Sequence, residues 1–220
     1  MVYQLTFHRE IEALKKKFMV LGTMVEDRVQ KVCLAIQTRD EDLLKEIIAL
    51  DWEIDDMEVE VEEECLKILA LHQPVAGDLR LLVTIIKINN ELERIADIAV
   101  NISKRIQTIN KNSSLRFTID YQPMADKVLA MLKLSLDALV MEDADLARRV
   151  FLEDDEVDQL RNQAYKGVIR ELNSEPGNAA CLVNLYLIAR HFERIGDRTT
   201  NIAEEVIYLV EGEIVRGESN

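Results

Sequence analysis

The sequence predicts an all-α protein made of two tandem three-helix bundles related by internal duplication. The composition indicates long helices joined by short turns, because 220 residues contain only 7 Gly and 3 Pro, few aromatic residues and many Leu, Ile, Val, Glu, Lys and Arg. Two long apolar seams have helical spacing, and both contain the same short motif. A hydrophobic content of 48% is sufficient for packed cores.

The shared motif is E-R-I-x-D-x-x-x-N-I. It lies in ELERIADIAVNI, from Glu91 to Ile102, and in HFERIGDRTTNI, from His191 to Ile202, so six identical residues recur at an offset of 100. The apolar residues around it alternate spacings of three and four, which is typical of a helix that packs along one heptad seam. The first seam comprises Ile85, Ile88, Leu92, Ile95, Ala99, Ile102, Ile106 and Ile109, and the second comprises Leu185, Ile188, Phe192, Ile195, Thr199, Ile202, Val206 and Leu209.

The periodicity predicts six helices, three in each half. Asp78 follows QPVAG and Asn178 follows SEPGN, so each is expected to cap the third helix of its half. Pro123 suits the first turn of the fourth helix, after the polar segment NKNSSLRFTIDYQP that separates the halves. The helices are predicted near 4–38, 41–71, 78–110, 121–140, 143–173 and 178–212, and the domains at 1–111 and 119–220 with a linker at 112–118.

Charge and cysteine usage restrict the partners and the compartment. A formal net charge of −14 argues against nucleic acid as a partner and favours cations. Cys33, Cys65 and Cys181 are odd in number and lack zinc spacing, so we expect buried free thiols in a reducing cytosol. The charged N-terminus does not have the apolar run of a signal peptide, and the most apolar run, LRLLVTIIKINN, is interrupted by Lys87. A soluble, cytoplasmic protein is expected.

The repeated motif contains acid pairs that packing does not explain. Glu93 and Asp97, like Glu193 and Asp197, are four residues apart and therefore lie within ~40° of each other on one helix face. Both pairs point ~120° to ~160° away from the seam, towards the flank or the solvent. Their recurrence on a surface where packing does not dictate identity suggests a function.

The second helix of each half offers a matching row of acids. Asp51 and Asp55 correspond to Asp154 and Asp158 at an offset of 103. If the second and third helices are antiparallel neighbours, four carboxylates converge in each half, and such a cluster is costly unless a cation neutralises it. Oxygen ligands favour Mg, Mn, Ca or Fe, with Zn compatible. The alternatives are solvated acids or local ion pairs with nearby arginines, namely Arg94, Arg190, Arg194 and Arg198.

Other chemistry has little support in the sequence. The chain has neither of the glycine-rich nucleotide motifs, G-x-x-x-x-G-K-[ST] and G-x-G-x-x-G. None of its three histidines follows an acid by three residues, so a di-iron centre of the E-x-x-H type is disfavoured. His191 lies next to a seam position, and we expect it to pack rather than to bind a ligand.

The sequence resembles the PhoU family of bacterial phosphate-uptake regulators over nearly its whole length. The resemblance rests on the two half-repeats, the turn QPVAGDLR and the paired acid rows. It implies two three-helix bundles, and metal clusters (Fe, Zn, Mg or Mn) on E(D)-x-x-x-D motifs. The second half departs from the pattern, because PGNAACL lacks Asp-Leu-Arg, so any contact made by Arg80 is expected only in the first half. The implied metal ligands are Asp51, Asp55, Glu93 and Asp97 in one cluster, and Asp154, Asp158, Glu193 and Asp197 in the other.

The resemblance also implies a cytoplasmic, homodimeric negative regulator of the phosphate-starvation response, without catalytic residues. Its partners would be the ATPase subunit of the phosphate ABC transporter and a membrane sensor histidine kinase, so it would associate with the membrane only through them. We therefore expect a regulatory adaptor. The alternatives are a metal-dependent hydrolase or oxidase that uses the carboxylates, and a purely structural helical assembly protein.

Overall fold

The computed structural model describes residues 2–111, 117–174 and 176–214, with side chains described from residue 6 onward. This part of the chain is helical and contains no strand. The helices are α1 (Val2–Thr38), α2 (Glu41–Ala49), α3 (Asp51–His72), α4 (Ala76–Asn110), α5 (Gln122–Met141), α6 (Ala144–Ser174) and α7 (Ala179–Glu211), with a 3-10 turn at Pro176–Asn178.

The predicted fold class is confirmed. The first bundle packs α1, the α2 and α3 pair, and α4 together, and the second packs α5, α6 and α7 together. Since α4 also packs on α7, the apolar cores of the two bundles are continuous. Every residue of both predicted seams is buried, including Thr199, whose hydroxyl donates to the carbonyl of Gly196 at 2.7 Å. Burial of these apolar side chains is the main force that holds each bundle together.

The second predicted helix is interrupted at Leu50, so the first bundle has α2 and α3 where the second has the continuous α6. The break leaves backbone carbonyls without helical partners. Arg28, which is only 6% exposed, donates to the carbonyls of Ile47 at 3.1 Å and of Leu50 at 2.8 Å. A buried arginine on α1 thus stabilises the interruption.

The turns that open α2 and α6 are repeated in the two halves. Asp40 accepts from the N–H groups of Asp42 and Leu43, and Asp143 accepts from the N–H of Leu146. Both are N-caps, and each follows a residue with left-handed backbone, φ 54° at Arg39 and φ 50° at Glu142. The same two-residue turn therefore recurs at the offset of 103.

The predicted helix starts agree only in part with the structure. The predicted cap at Asp78 is wrong, because α4 begins at Ala76 and places Asp78 inside its first turn, where its charge favours the helix dipole. Asn178 occupies the N-cap position of α7, but its side chain makes no capping hydrogen bond there in the part of the chain that the structure describes. Pro123 lies in the first turn of α5, as predicted. Residues 112–116 of the predicted linker lie outside the described residues.

The three cysteines are free and buried, as predicted.

A row of polar contacts joins the bundles between α4 and α7, which run antiparallel. Lys87 donates to Glu205 at 2.9 Å, and Arg198 donates to Glu91 at 3.2 Å. Further along, Arg105 Nε donates to His191 Nε2 at 2.9 Å. His191 is buried, and its pKa is lowered to about 4 by burial and then by Arg105, so it stays neutral at pH 7. This confirms a packing role for His191.

Candidate functional site

The first acidic face comprises Asp51 and Asp55 on α3 and Glu93 and Asp97 on α4. The two helices run antiparallel, and Asn89 Nδ2 donates to the carbonyl of Glu58 at 2.9 Å, which fixes their register. The structure thus brings the four predicted carboxylates to one face. Asp55 and Asp97 are exposed, whereas Asp51 and Glu93 are half-buried.

Two carboxylates of the first acidic face, Asp51 and Glu93, have a raised pKa. Burial is the largest cause for Asp51 and for Glu93, and repulsion from Asp55 and Asp97 adds to it in both cases. Arg28 opposes this repulsion at short range, because its Nη1 lies 3.2 Å from Asp51 Oδ1. The arginine that bridges the helix break therefore also compensates one end of the first acidic face.

The second acidic face comprises Asp154 and Asp158 on α6 and Glu193 and Asp197 on α7. Burial, followed by repulsion from Asp197 and Asp158, raises the pKa of Asp154 to about 6. The pKa values of Glu193 and Asp197 are also raised, again mainly by burial. All four predicted carboxylates are thus brought together here as well.

The second acidic face is compensated at a different place. Arg161 Nη2 lies 3.2 Å from Asp158 Oδ1 and 3.4 Å from Glu193 Oε1. Asp154 has no such partner among the described residues, and its Oδ1 lies against Gly196, where an added Cβ would be 3.0 Å from it. The same Cβ would be 3.7 Å from Met131 Cε. Asp154 therefore has an apolar neighbour in place of a cation.

The arginine that compensates the carboxylates comes from a different position in each half. At the offset of 103 that relates Asp51 to Asp154, Arg28 corresponds to Met131 and Glu58 corresponds to Arg161. Glu58 adds negative charge to the first acidic face, because it contributes to the raised pKa of Glu93. The pKa of Glu58 itself is raised by burial, Glu62 and Asp55. Sequence reasoning missed Arg28 and Arg161, although carrying the offset into α1 and along α6 would have exposed both exchanges.

The arginines that the sequence offered as local ion-pair partners are engaged elsewhere or act at longer range. Arg198 pairs with Glu91, and Arg94 Nε donates to Asn90 at 2.9 Å. Within the described ranges, Arg190 and Arg194 form no ion pair within 4 Å. Local compensation does occur, as the alternative interpretation required, but Arg28 and Arg161 provide it.

The donor chemistry of both faces fits a hard cation, although their present geometry is not a finished site. Eight carboxylates that repel one another provide only oxygen ligands, which suits Mg, Mn, Ca or Fe. In the part of the chain that the structure describes, no group of three or more His, Cys, Asp or Glu stands close enough to hold a metal ion. Binding would therefore require rotation of side chains at the surface.

These observations define a class of protein: an all-helical chain of two similar three-helix bundles, each with a carboxylate-lined face. The PhoU domain family matches residues 18–106 and 122–206. The chain belongs to the PhoU family. No helix in the described part combines the length and the apolar character that crossing a membrane requires.

Named relatives and solved structures resemble the chain over nearly its full length. The phosphate-specific transport system accessory protein PhoU homolog of Clostridium acetobutylicum is 35% identical over 95% of this chain and 96% of its own length. The Escherichia coli K12 protein of the corresponding name is 34% identical over 96% of this chain and 87% of its own. The crystal structure of PhoU from Pseudomonas aeruginosa has a TM-score of 0.90 at 33% identity, covering 94% of this chain and 100% of that one. The phosphate transport system regulatory protein PhoU of Streptococcus pneumoniae has a TM-score of 0.87 at 28% identity, covering 96% and 99%.

Proposed function

We propose that the chain is a negative regulator of bacterial phosphate uptake and phosphate-starvation signalling, acting as an adaptor and not as an enzyme. The observation that carries this proposal is the similarity, over at least 94% of the chain, to proteins named as accessory or regulatory parts of phosphate transport systems. Its partners would be the ATPase subunit of a phosphate ABC transporter and a sensor histidine kinase. The adaptor would be cytoplasmic and homodimeric, and would reach the membrane only through these partners.

Complementation tests this role. The chain is expressed in an Escherichia coli strain that lacks its own PhoU and carries a phosphate-starvation reporter, grown in high phosphate. Restored repression of the reporter supports the negative regulator. Constitutive reporter expression despite full-length, folded protein contradicts it.

We also propose that each acidic face binds divalent metal ions and that metal makes it competent to dock a partner. The support is the recurrence of four mutually repelling carboxylates at equivalent places in both bundles. A bound cation would supply positive charge where burial and repulsion raise the pKa of Asp51, Glu93 and Asp154, and its binding energy would favour the ordered state of the face. The residues that would hold it are Asp51, Asp55, Glu93 and Asp97 on the first acidic face, and Asp154, Asp158, Glu193 and Asp197 on the second.

Calorimetric titration of chelator-treated protein with Mn²⁺ tests the metal proposal. We expect two sets of sites in the unmodified protein and one set after either Asp97→Ala or Asp197→Ala. The matched control is Asp42→Ala with Asp145→Ala, a pair at the same offset of 103 whose side chains are 93% and 95% exposed. Two unchanged sets of sites in both single variants would disprove the proposal.

A further inference from the structure

An apolar groove lies where the two bundles meet, and it shares no residue with either acidic face. It has a volume of about 450 Å³ and is bordered by α1, α4, α5 and α7. Its base is formed by large apolar side chains from all four helices. They include Phe18, Leu81, Ile85, Leu139 and Leu209.

Apolar side chains continue from the groove onto the open surface. Val20 on α1 is 50% exposed and Val140 on α5 is 58% exposed, and both border the groove. Met141, the next residue of α5, is 67% exposed. Exposed apolar side chains of this kind cost free energy in water and are typical of a surface that a partner covers.

One end of the groove carries positive charge. Lys15 and Lys16 border it together with one acid, Glu142, so the charged residues of the rim sum to +1 in a chain of formal charge −14. Lys15 Nζ and Glu142 Oε1 are 3.9 Å apart, a long contact between two side chains at least 40% exposed. Lys16 is exposed and forms no ion pair in the part of the chain that the structure describes. It is therefore available to an acidic group.

We propose that this groove docks an amphipathic helix of a partner protein, whose apolar face fills the groove and whose acidic side chain meets Lys16. A helix fits because apolar side chains of separate helices, among them Phe18, Ile85 and Val140, line the groove and offer several contacts to one apolar helix face. A second copy of the chain fits poorly, since an isologous contact would set one concave groove against another and bring like lysines together. The positive charge beside the groove favours an acidic helix over a basic one.

The inference rests on the proposed adaptor function, because an adaptor needs a surface that recognises a partner. Its test measures the binding of synthetic peptides to the full chain. A failure of the groove to bind peptide is thereby distinguished from a failure of the chain to regulate phosphate uptake. The probe is a fluorescent peptide of about 18 residues with leucines at i, i+3, i+4 and i+7 and glutamates at both ends. The comparison peptide has lysines in place of the glutamates.

Fluorescence anisotropy is expected to show that the acidic peptide binds about tenfold more tightly than the basic one. Val140→Asp should weaken binding of the acidic peptide about tenfold, because it places a charge in the apolar rim. Lys16→Glu should remove the preference for the acidic peptide. The controls are Leu152→Asp, at a side chain 73% exposed on α6, and Lys166→Glu, at an exposed lysine on α6. Neither control should alter binding.

Several outcomes would overturn the inference, provided that circular dichroism shows each variant folded. In the peptide experiments they are equal binding of both peptides, no binding of either, and the same effect from Val140→Asp and Leu152→Asp. In sedimentation, the contradicting outcome is loss of self-association in Val140→Asp. The last would identify the groove as an interface between copies of the chain. Binding of a long-chain fatty acid without binding of the peptide would identify a lipid site and would also contradict the proposal.

Discussion

The two acidic faces have the same four carboxylates in the same places but opposite electrostatic surroundings. In the first, Arg28 lies 3.2 Å from Asp51, and Glu58 adds a further acid at the opposite end. In the second, Met131 replaces the buried arginine, and Arg161 takes the position of the extra acid. The positions of the four carboxylates are the same in both halves while their neighbours differ, so the two faces should differ in stability, in pH response and in affinity for cations.

The largest expected effect is on the stability of the first bundle. Arg28→Met introduces the residue type that the second half has at the equivalent position, Met131. It should lower the free energy of unfolding by about 3 kcal/mol, because two carbonyls and Asp51 lose a buried partner. Arg161→Met, at a side chain 25% exposed, should cost less than about 1 kcal/mol. Urea denaturation of both variants measures the difference. Equal losses would mean that Arg28 has no special structural role.

The next effect is on cation affinity. Arg161→Glu introduces the charge of Glu58 into the second acidic face, and we expect it to increase Mn²⁺ affinity there about tenfold, since a competing guanidinium is replaced by a carboxylate. The reciprocal change, Glu58→Arg, should weaken the first acidic face by a similar factor. Calorimetric titration compares both with Lys166→Glu, which changes charge at an exposed site on α6 outside both faces. Similar gains in Arg161→Glu and Lys166→Glu would indicate a general charge effect.

A smaller effect concerns pH in chelator-treated protein. The Asp154 pKa of about 6 lies above the ordinary value of about 3.9, so folding favours its protonated form. The stability from this group is complete below pH ~4 and is lost as pH rises through about 6. Asp154→Asn should therefore stabilise the protein at pH 7.5 by about 1 kcal/mol, a value discounted for the half-exposed position.

The equivalent substitution on the first acidic face separates the two environments. Asp51→Asn should not stabilise the protein at pH 7.5, because Arg28 would lose its charged partner. Thermal unfolding from pH 4 to pH 8 measures both variants. A gain in stability from Asp51→Asn as large as that from Asp154→Asn would contradict the comparison.

The smallest effect tests the close approach of Gly196 to Asp154. Gly196→Ala would place a Cβ 3.0 Å from Asp154 Oδ1 and force this carboxylate to shift. We expect Mn²⁺ affinity of the second acidic face to fall about threefold, with little loss of stability because Ala favours the helix. Ala96→Gly, the reciprocal change, should lower stability by about 1 kcal/mol and leave the affinity of the first acidic face unchanged. Titration and urea denaturation of the two variants measure these effects.

The fold was predictable because one physical signal repeats along the chain. The heptad seams of the third helices fix which faces are buried, and all their members are indeed in the cores. The break at Leu50 was not predictable, since the apolar periodicity continues through it and only the contacts of Arg28, more than twenty residues away in α1, reveal it. The N-cap predicted at Asp78 was wrong because α4 begins two residues earlier, at Ala76, whose φ is 52°.

The placement of four carboxylates on one face of each bundle was predictable, whereas their charged and apolar neighbours were not. That these carboxylates bind metal stays a prediction. Recurrence at fixed offsets identified the acid rows, and antiparallel packing brings them together. Arg28 and Arg161 were missed because the equivalent positions hold residues of another type, Met131 and Glu58, whereas recurrence identifies only identical residues. Their distances to Asp51 and Glu193 depend on how α1 packs on α3 and how a long side chain extends along α6, which composition and spacing do not specify.

The most direct test of the central claim combines both acidic faces in one variant. Asp97→Ala with Asp197→Ala removes one carboxylate from each, and Asp42→Ala with Asp145→Ala is the matched control. Metal content by mass spectrometry and phosphate-starvation reporter output at high phosphate are measured for both in the complementation strain. We predict that the first double variant loses bound metal and repression while the control retains both. Unchanged metal content and unchanged repression in the first double variant would contradict the account.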